Sequence, residues 1–395
     1  MKILYISNKP IYPLVDGGCI AMNQFLKCLI NAWYDIKNFT ISTHKHPFEK
    51  DAFPEELYSI IRPTNIEVDT RIKTIKALSY LFKKGSYNID RFTNDFLKLE
   101  IKNFLENEDT SVVILESIYL AGYISTIRKY STAKIIIRSH NVEFLLWERQ
   151  SEIQNSIFKK IYLKKLAKDL KIAEVKYLNK ADGICCISKK DKQIFQELGI
   201  TKSLATIPVS IETNYIQNEY EASSFFHIGS MNWGPNIEAI NWLVNSIFPS
   251  IRKQLPDAKL YLAGSNMSNK FLTDESNGIE VIGFVEDVSD FMINKGVMLV
   301  PLKSGSGVRI KIIEGMNLGI PIVTTKIGAE GIDAEHQKNI IIAKNEEDFV
   351  NFAVSLSESK EKRSLLGKNA KEFISKHYQI EHVTKKLIGF IEHIS

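Results

Sequence analysis

Gly305-Ser306-Gly307-Val308-Arg309-Ile310-Lys311-Ile312-Ile313-Glu314 is entered from the apolar run Val297-Met298-Leu299-Val300 and followed by Gly319-Ile320-Pro321-Ile322-Val323-Thr324. Two strand-length apolar runs thus flank a segment of helical period, with glycines at its entry and its stop. That is a strand, loop, helix, strand unit, the repeating piece of a parallel sheet wrapped by helices. The entry loop has a second property. The free N–H groups and positive dipole end of a helix start favour an anion, and glycines let backbone approach it closely. Arg309 can add charge-assisted hydrogen bonds. A nucleoside diphosphate suits such a loop. Taken without their context, Gly305 and Gly307 could equally serve a tight turn with solvated cations around it.

The context repeats outward in both directions. Strand candidates in the first half lie at 3–6, 36–41, 112–115, 134–137 and 183–187, and in the second at 225–228, 259–263, 279–282, 297–300, 320–324 and 339–342, with helical patterns between them. The fold class is therefore α/β, with parallel sheets. A length of 395 residues suits two domains, and 44% hydrophobic with 25% charged residues is an ordinary globular balance. The join is placed near Ile207-Pro208, where a proline follows the helix 189–198 and its Gly199 stop, which gives domains at 1–207 and 208–378. Ser188 and Asp191 read as a capping box for that helix. A net charge of +5 is too small to argue for nucleic acid. The four cysteines, Cys19, Cys28, Cys185 and Cys186, show neither zinc spacing nor a disulfide pattern, so no metal site is expected. No apolar run reaches the roughly 18 residues that span a bilayer, and the first residues lack a signal-peptide pattern. A cytoplasmic protein is expected.

Four features can carry chemistry. Glu314 lies among Ile312, Ile313 and Met316, where a carboxylate is costly unless satisfied, either by the two hydroxyls of a ribose or by Lys311. His140 follows the strand 134–137, at the carboxyl end where α/β sites form, with Arg138 and Glu143 beside it as a possible mutual pair. Gly17-Gly18 precedes a helix from about residue 20 to 30 and admits a close backbone approach. The segment 157–180 is helical by period, with Phe158, Ile161, Leu166, Leu170, Ala173 and Tyr177 on one stripe and six lysines mostly off it. A solvated lysine face on a core helix is the favoured account, and contact with anionic lipid at the inner membrane is the other.

With these residues in hand, the chain resembles the family-4 glycosyltransferases of the GT-B fold over nearly its whole length. The resemblance rests on Ser304 through Met316, Gly319 through Thr325 and Gly328 through Gly331. Gly17-Gly18, His140-Asn141-Val142-Glu143, His227-Ile228-Gly229-Ser230 with Pro235-Asn236, and Gly283-Phe284-Val285 with Asp287 support it. It implies two Rossmann-like doubly wound domains facing across a cleft, and a last segment, 379–395, packed back on the first domain. It implies a retaining transferase without metal or cofactor, taking a nucleoside diphosphate sugar as donor and a glycan or lipid-linked acceptor, in cell-envelope polysaccharide biosynthesis. By the same resemblance Glu314 holds the ribose, Arg309 and Lys311 the diphosphate, and Gly305, Ser306 and Gly307 face the donor sugar. His140 reaches the transferred sugar, Gly17 and Gly18 admit the diphosphate, Phe284 and Val285 edge the base, and Gly229 is a further substrate-binding position. Two positions depart from the family pattern: Ser306 stands where an acid is expected eight residues before Glu314, and Ser230 where an arginine is common. An epimerase or hydrolase on the same fold, or a silent sugar-nucleotide-binding partner, are the competing readings.

Overall fold

The structure, a computed structural model, describes residues 1–73, 77, 79, 80, 83, 85–212, 221, 223–267, 271–293, 295–305 and 307–394. The chain divides into two compact units, one of Met1–Ser210 with Val383–Ser395 and one of Ile211–His382. The division falls three residues after the proline-marked join, and the last helix, Ile380–Ile394, begins in the second unit and continues in the first.

Among the described residues of the first unit seven strands form one wholly parallel sheet: β1 (Lys2–Ser7), β2 (Asp35–Ser42), β3 (Thr64–Glu67), β4 (Val112–Glu116), β5 (Lys134–Ser139), β6 (Gly183–Cys186) and β7 (Ser203–Thr206). Their spatial order is β3-β2-β1-β4-β5-β6-β7. Side chains on both sides of the central strands are buried, Leu4, Ile6, Val113 and Leu115 on one face and Ile3, Tyr5, Val112 and Ile114 on the other. Helices covering both faces cause this, and it explains why these strands read as unbroken apolar runs. The last helix reaches the sheet at β6. A Cβ added to Gly183 would lie 2.8 Å from the Phe390 ring and 3.1 Å from Ile394, so glycine is what allows that approach.

The second unit holds β8 (Ser224–Ile228), β9 (Lys259–Ala263), β10 (Ile279–Gly283), β11 (Val297–Val300), β12 (Ile322–Thr325) and β13 (Ile341–Ala343), again all parallel, in the order β10-β9-β8-β11-β12-β13. In each sheet the order reverses beside the first strand, between β1 and β4 and between β8 and β11. Loops leaving the carboxyl ends of such a pair diverge and open a crevice, which is where doubly wound folds bind ligands.

Two local expectations change. The helix Gly17–Asn31 starts at the double glycine itself, because the Asp16 carboxylate caps it by accepting from the Cys19 N–H at 2.8 Å. The helix Ile157–Leu178 buries Leu166, Leu170 and Ala173, and Tyr162 and Leu163 pack beside them, yet Phe158 is 82% exposed and Ile161 59% exposed, so these two do not join the buried stripe. Ser188 accepts from the Asp191 N–H at 3.0 Å and donates to the Asp191 carboxylate at 2.7 Å, as a cap at that helix requires.

Candidate functional site

In the second unit the reversal point brings together the loop after β8 and the loop after β11. Gly305 and Gly307 adopt φ of +102° and +81°, conformations that strain any other residue. Gly305 is needed twice over, since an added Cβ would lie 2.6 Å from the Trp233 indole and 3.2 Å from Arg309 Nη2. Arg309 occupies the N-cap of the helix Ile310–Asn317, and its guanidinium turns back to donate to the Gly307 carbonyl. It sits 5.1 Å from the centre of the Trp233 ring and is 95% buried. A cation is thereby fixed at the positive end of a helix, against an aromatic wall. Ser306 lies outside the described residues.

Gly229 serves the same crevice from β8. Its N–H donates to the Ala263 carbonyl at 3.0 Å, while Gly264, at φ +147°, passes so close that a Cβ there would meet the Gly229 oxygen at 1.8 Å. A side chain at Gly229 would in turn strike Asn236.

Lys311 was expected at the diphosphate or paired with Glu314, and in the structure its ammonium is directed elsewhere. It donates to the Ile228 carbonyl at 2.7 Å and to Asn236 Oδ1 at 3.0 Å, and lies 3.3 Å from His227 Nε2. These three acceptors match its three protons. His227 is fully buried and contacts the Leu299 carbonyl through Nδ1 at 2.7 Å. A carbonyl only accepts, so Nδ1 carries the proton and Nε2 receives from Lys311. Burial, with the Lys311 charge, keeps the ring neutral by pushing its pKa well down. Burial also lowers Lys311 itself to about 7, with Arg309 adding to the effect. Lys311 thus ties β8, β11 and the helix start together, as a strut for the glycine loop.

Glu314 sits on the same helix, partly buried. Burial and, secondarily, the Asp287 carboxylate push it up to about 7. Its carboxylate has no hydrogen bond or ion pair among the described residues. Asp287 caps the short helix Val288–Met292. Just before it, Phe284 is 71% exposed beyond Gly283, and Val285 packs partly into the core of this unit.

The first unit holds a separate polar cluster at the carboxyl ends of β4 and β5. Arg138 does not pair with Glu143. It is fully buried against Glu116, the last residue of β4, and stacks 4.3 Å from the Phe25 ring centre. Glu116 also bonds His140 Nε2. Burial opposes ionisation of Glu116, but Arg138 and His140 together hold its pKa below the ordinary range. Burial lowers His140, against the pull of Glu116, so the ring is neutral with Nε2–H on the carboxylate and Nδ1 left as an acceptor. Glu143 instead receives the Tyr119 hydroxyl at 2.6 Å. At Gly17-Gly18, Lys9 Nζ bridges both Asp16 oxygens at 2.6 and 2.7 Å, and His46 lies 3.3 Å from one of them. A Cβ on Gly18 would lie 2.7 Å from that ammonium.

Glu116, Trp233, Asn236, His227 and Lys9 were given no role on sequence. Glu116 and His227 lie within apolar strand runs, where a single polar residue is the available signal. Among the described residues no three His, Cys, Asp or Glu side chains gather as metal ligands, and no helix is long and apolar enough to cross a membrane.

Residues 222–359 match the family described as glycosyl transferases group 1. Over 97% of both chains the protein is 25% identical to an uncharacterized 44.6 kDa protein in the cps region of Klebsiella pneumoniae. Sucrose-phosphate synthase from Thermosynechococcus elongatus superposes with a TM-score of 0.72 at 12% identity, covering 100% of this chain and 99% of that one. Anabaena HepE in complex with UDP superposes at 0.68 with 13% identity, covering all of both chains. Residues 222–359 are thus similar to the group 1 glycosyl transferases, and the two parallel α/β units of the chain have the fold of the GT-B glycosyltransferases.

Proposed function

We propose that the protein is a retaining glycosyltransferase that moves a sugar from a nucleoside diphosphate sugar to a glycan or lipid-linked acceptor, in the assembly of a cell-envelope polysaccharide on the cytoplasmic side. The observation that carries the reading is Glu314. A partly buried carboxylate without a partner among the described residues, on the helix that follows a positive-φ glycine loop and a fixed arginine, suits the two hydroxyls of a ribose.

The second unit takes the donor. Glu314 accepts from the ribose, and the base lies against exposed Phe284 with Val285 behind it. The diphosphate sits over the Gly305 loop, its developing charge met by Arg309 and the N–H groups of the helix start. Lys311 acts through position, holding the β8 loop and Gly229 in place. Charge on the departing diphosphate is met by these groups alone in this reading, with neither metal nor cofactor. The first unit serves the acceptor, and His140 offers Nδ1 to a sugar hydroxyl. Retention follows from attack on the face the leaving group vacates, the leaving phosphate oxygen taking the acceptor proton. The polysaccharide assignment draws on the cps-region relative, and the donor class on the UDP found with HepE.

The test is transfer itself. Purified protein is supplied with labelled UDP, GDP and ADP sugars and a lipid-linked glycan acceptor, and the product's anomeric configuration is read by NMR. Transfer with retained configuration supports the proposal. Release of free sugar, epimerised donor, or binding without turnover would reassign the site to the hydrolase, the epimerase or the silent partner.

A further inference from the structure

The start of the helix Ile157–Leu178 is built unlike the rest of it. Its buried face, Leu166, Leu170 and Ala173, begins only in the third turn. The opposite face runs through Ile157, Ile161, Lys164, Lys168 and Ile172, a spacing of four, three, four and four residues that keeps all five on one stripe. Ile157, Ile161 and Ile172 are 61, 59 and 61% exposed along it, and Phe158 beside it is 82% exposed.

Apolar residues this large are seldom set side by side in water without a partner. The helix also carries seven lysines against two acids. Both acids are withdrawn: Asp169 pairs with Lys165, and Glu174 is buried, accepting from the Glu143 and Phe144 N–H groups. Among the described residues Lys159, Lys164 and Lys168 have no acidic partner. An exposed apolar stripe interleaved with unneutralised lysines, on a helix too polar to span a bilayer, matches the headgroup region of an anionic membrane: apolar tips in the acyl boundary, ammonium groups at the phosphates.

We infer that this helix lies flat on an anionic lipid surface and docks the protein there through Ile157, Phe158, Ile161, Lys164 and Lys168. The inference is independent of the donor site, which lies in the other unit, so nucleotide binding and vesicle binding are read separately.

The experiment is co-sedimentation with vesicles of phosphatidylcholine alone or with about one-third phosphatidylglycerol. The full chain is compared with Ile157→Ser/Phe158→Ser/Ile161→Ser and with Lys164→Gln/Lys168→Gln. All five positions are surface ones, so both variants keep the wild-type melting temperature and nucleotide affinity. The wild type binds the anionic vesicles and barely binds the neutral ones. The lysine variant binds roughly 25-fold more weakly, about fivefold per charge, and the serine variant at least roughly tenfold more weakly from lost apolar burial. Equal binding to both vesicle types, no binding to either, or a serine variant that binds like wild type would overturn the inference. So would a lipid-free dimer, seen by sedimentation velocity, that the serine variant abolishes, since the stripe would then be a face for a second copy.

Discussion

Replacing Glu314 by glutamine separates what the residue does for the ligand from what it does to the fold. Its carboxyl is raised from an ordinary 4.5 to about 7. A group raised in this way is at its most favourable below the unfolded value, and that advantage is lost as pH rises through the folded one. At pH 8 the buried charge therefore costs about 3 kcal/mol, and at pH 5 about 1 kcal/mol, from 1.36 kcal/mol per pKa unit. Glutamine keeps the shape and removes the titration. The ligand-free variant is thus expected to gain about 2 kcal/mol on the wild type between pH 5 and pH 8, which is roughly 4 to 8 °C in melting temperature for a unit of this size. Its nucleotide affinity should fall by about 1.5 kcal/mol or more, the worth of a charge-assisted hydrogen bond. Calorimetric melts at the two pH values and a nucleotide titration of each protein make the measurement. Melting curves that track the wild type at both pH values, or an unchanged affinity, would refute the placing of an unpaired carboxylate at a ribose site.

Other changes test the surrounding framework. Gly305→Ala should lose most nucleotide affinity, because φ of +102° and the Trp233 ring 2.6 Å from the new Cβ force the loop to move; binding within twofold of wild type in a titration would contradict this. Lys311→Met should show its effect in pH dependence. Burial lowers Lys311 to about 7 against an ordinary 10.5, so the wild type gains stability over the variant as pH climbs from 7 to 9, by about 2 kcal/mol. Parallel melting curves over that range would count against the buried lysine. Glu116→Gln should destabilise the first unit by about 3 to 5 kcal/mol by leaving Arg138 buried without its counter-charge; a loss under about 1 kcal/mol would deny the pair that weight.

The eleven strands expected from apolar runs are all present, because a strand covered on both faces must be apolar on both. β3 and β7 escaped notice for the same reason. They lie at the sheet's edges, and their sequences, Thr64-Asn65-Ile66-Glu67 and Ser203-Leu204-Ala205-Thr206, are half exposed and carry no apolar run. The glycine loop, Arg309 and Glu314 could be read because loop chemistry is local. Partnerships could not. Arg138 stands next to His140 and Glu143 in sequence, but its partner Glu116 comes from the neighbouring strand. Lys311 finds His227 from 84 residues away. The lysine helix misled in a different way: Ile161 and Leu166 are five residues apart, so Phe158 and Ile161 fall off the stripe that Leu166, Leu170 and Ala173 share, and both are exposed.

The central claim is that the glycine loop and Glu314 bind a nucleoside diphosphate sugar. The direct measurement is a calorimetric titration of UDP, GDP, ADP and their sugars into the wild type, Glu314→Ala and Arg309→Ala. One nucleotide should bind the wild type, the Glu314→Ala protein should lose it, and Arg309→Ala should weaken it by roughly 1.5 to 3 kcal/mol. A panel in which none binds, or a Glu314→Ala protein that binds as tightly as wild type, would contradict the account.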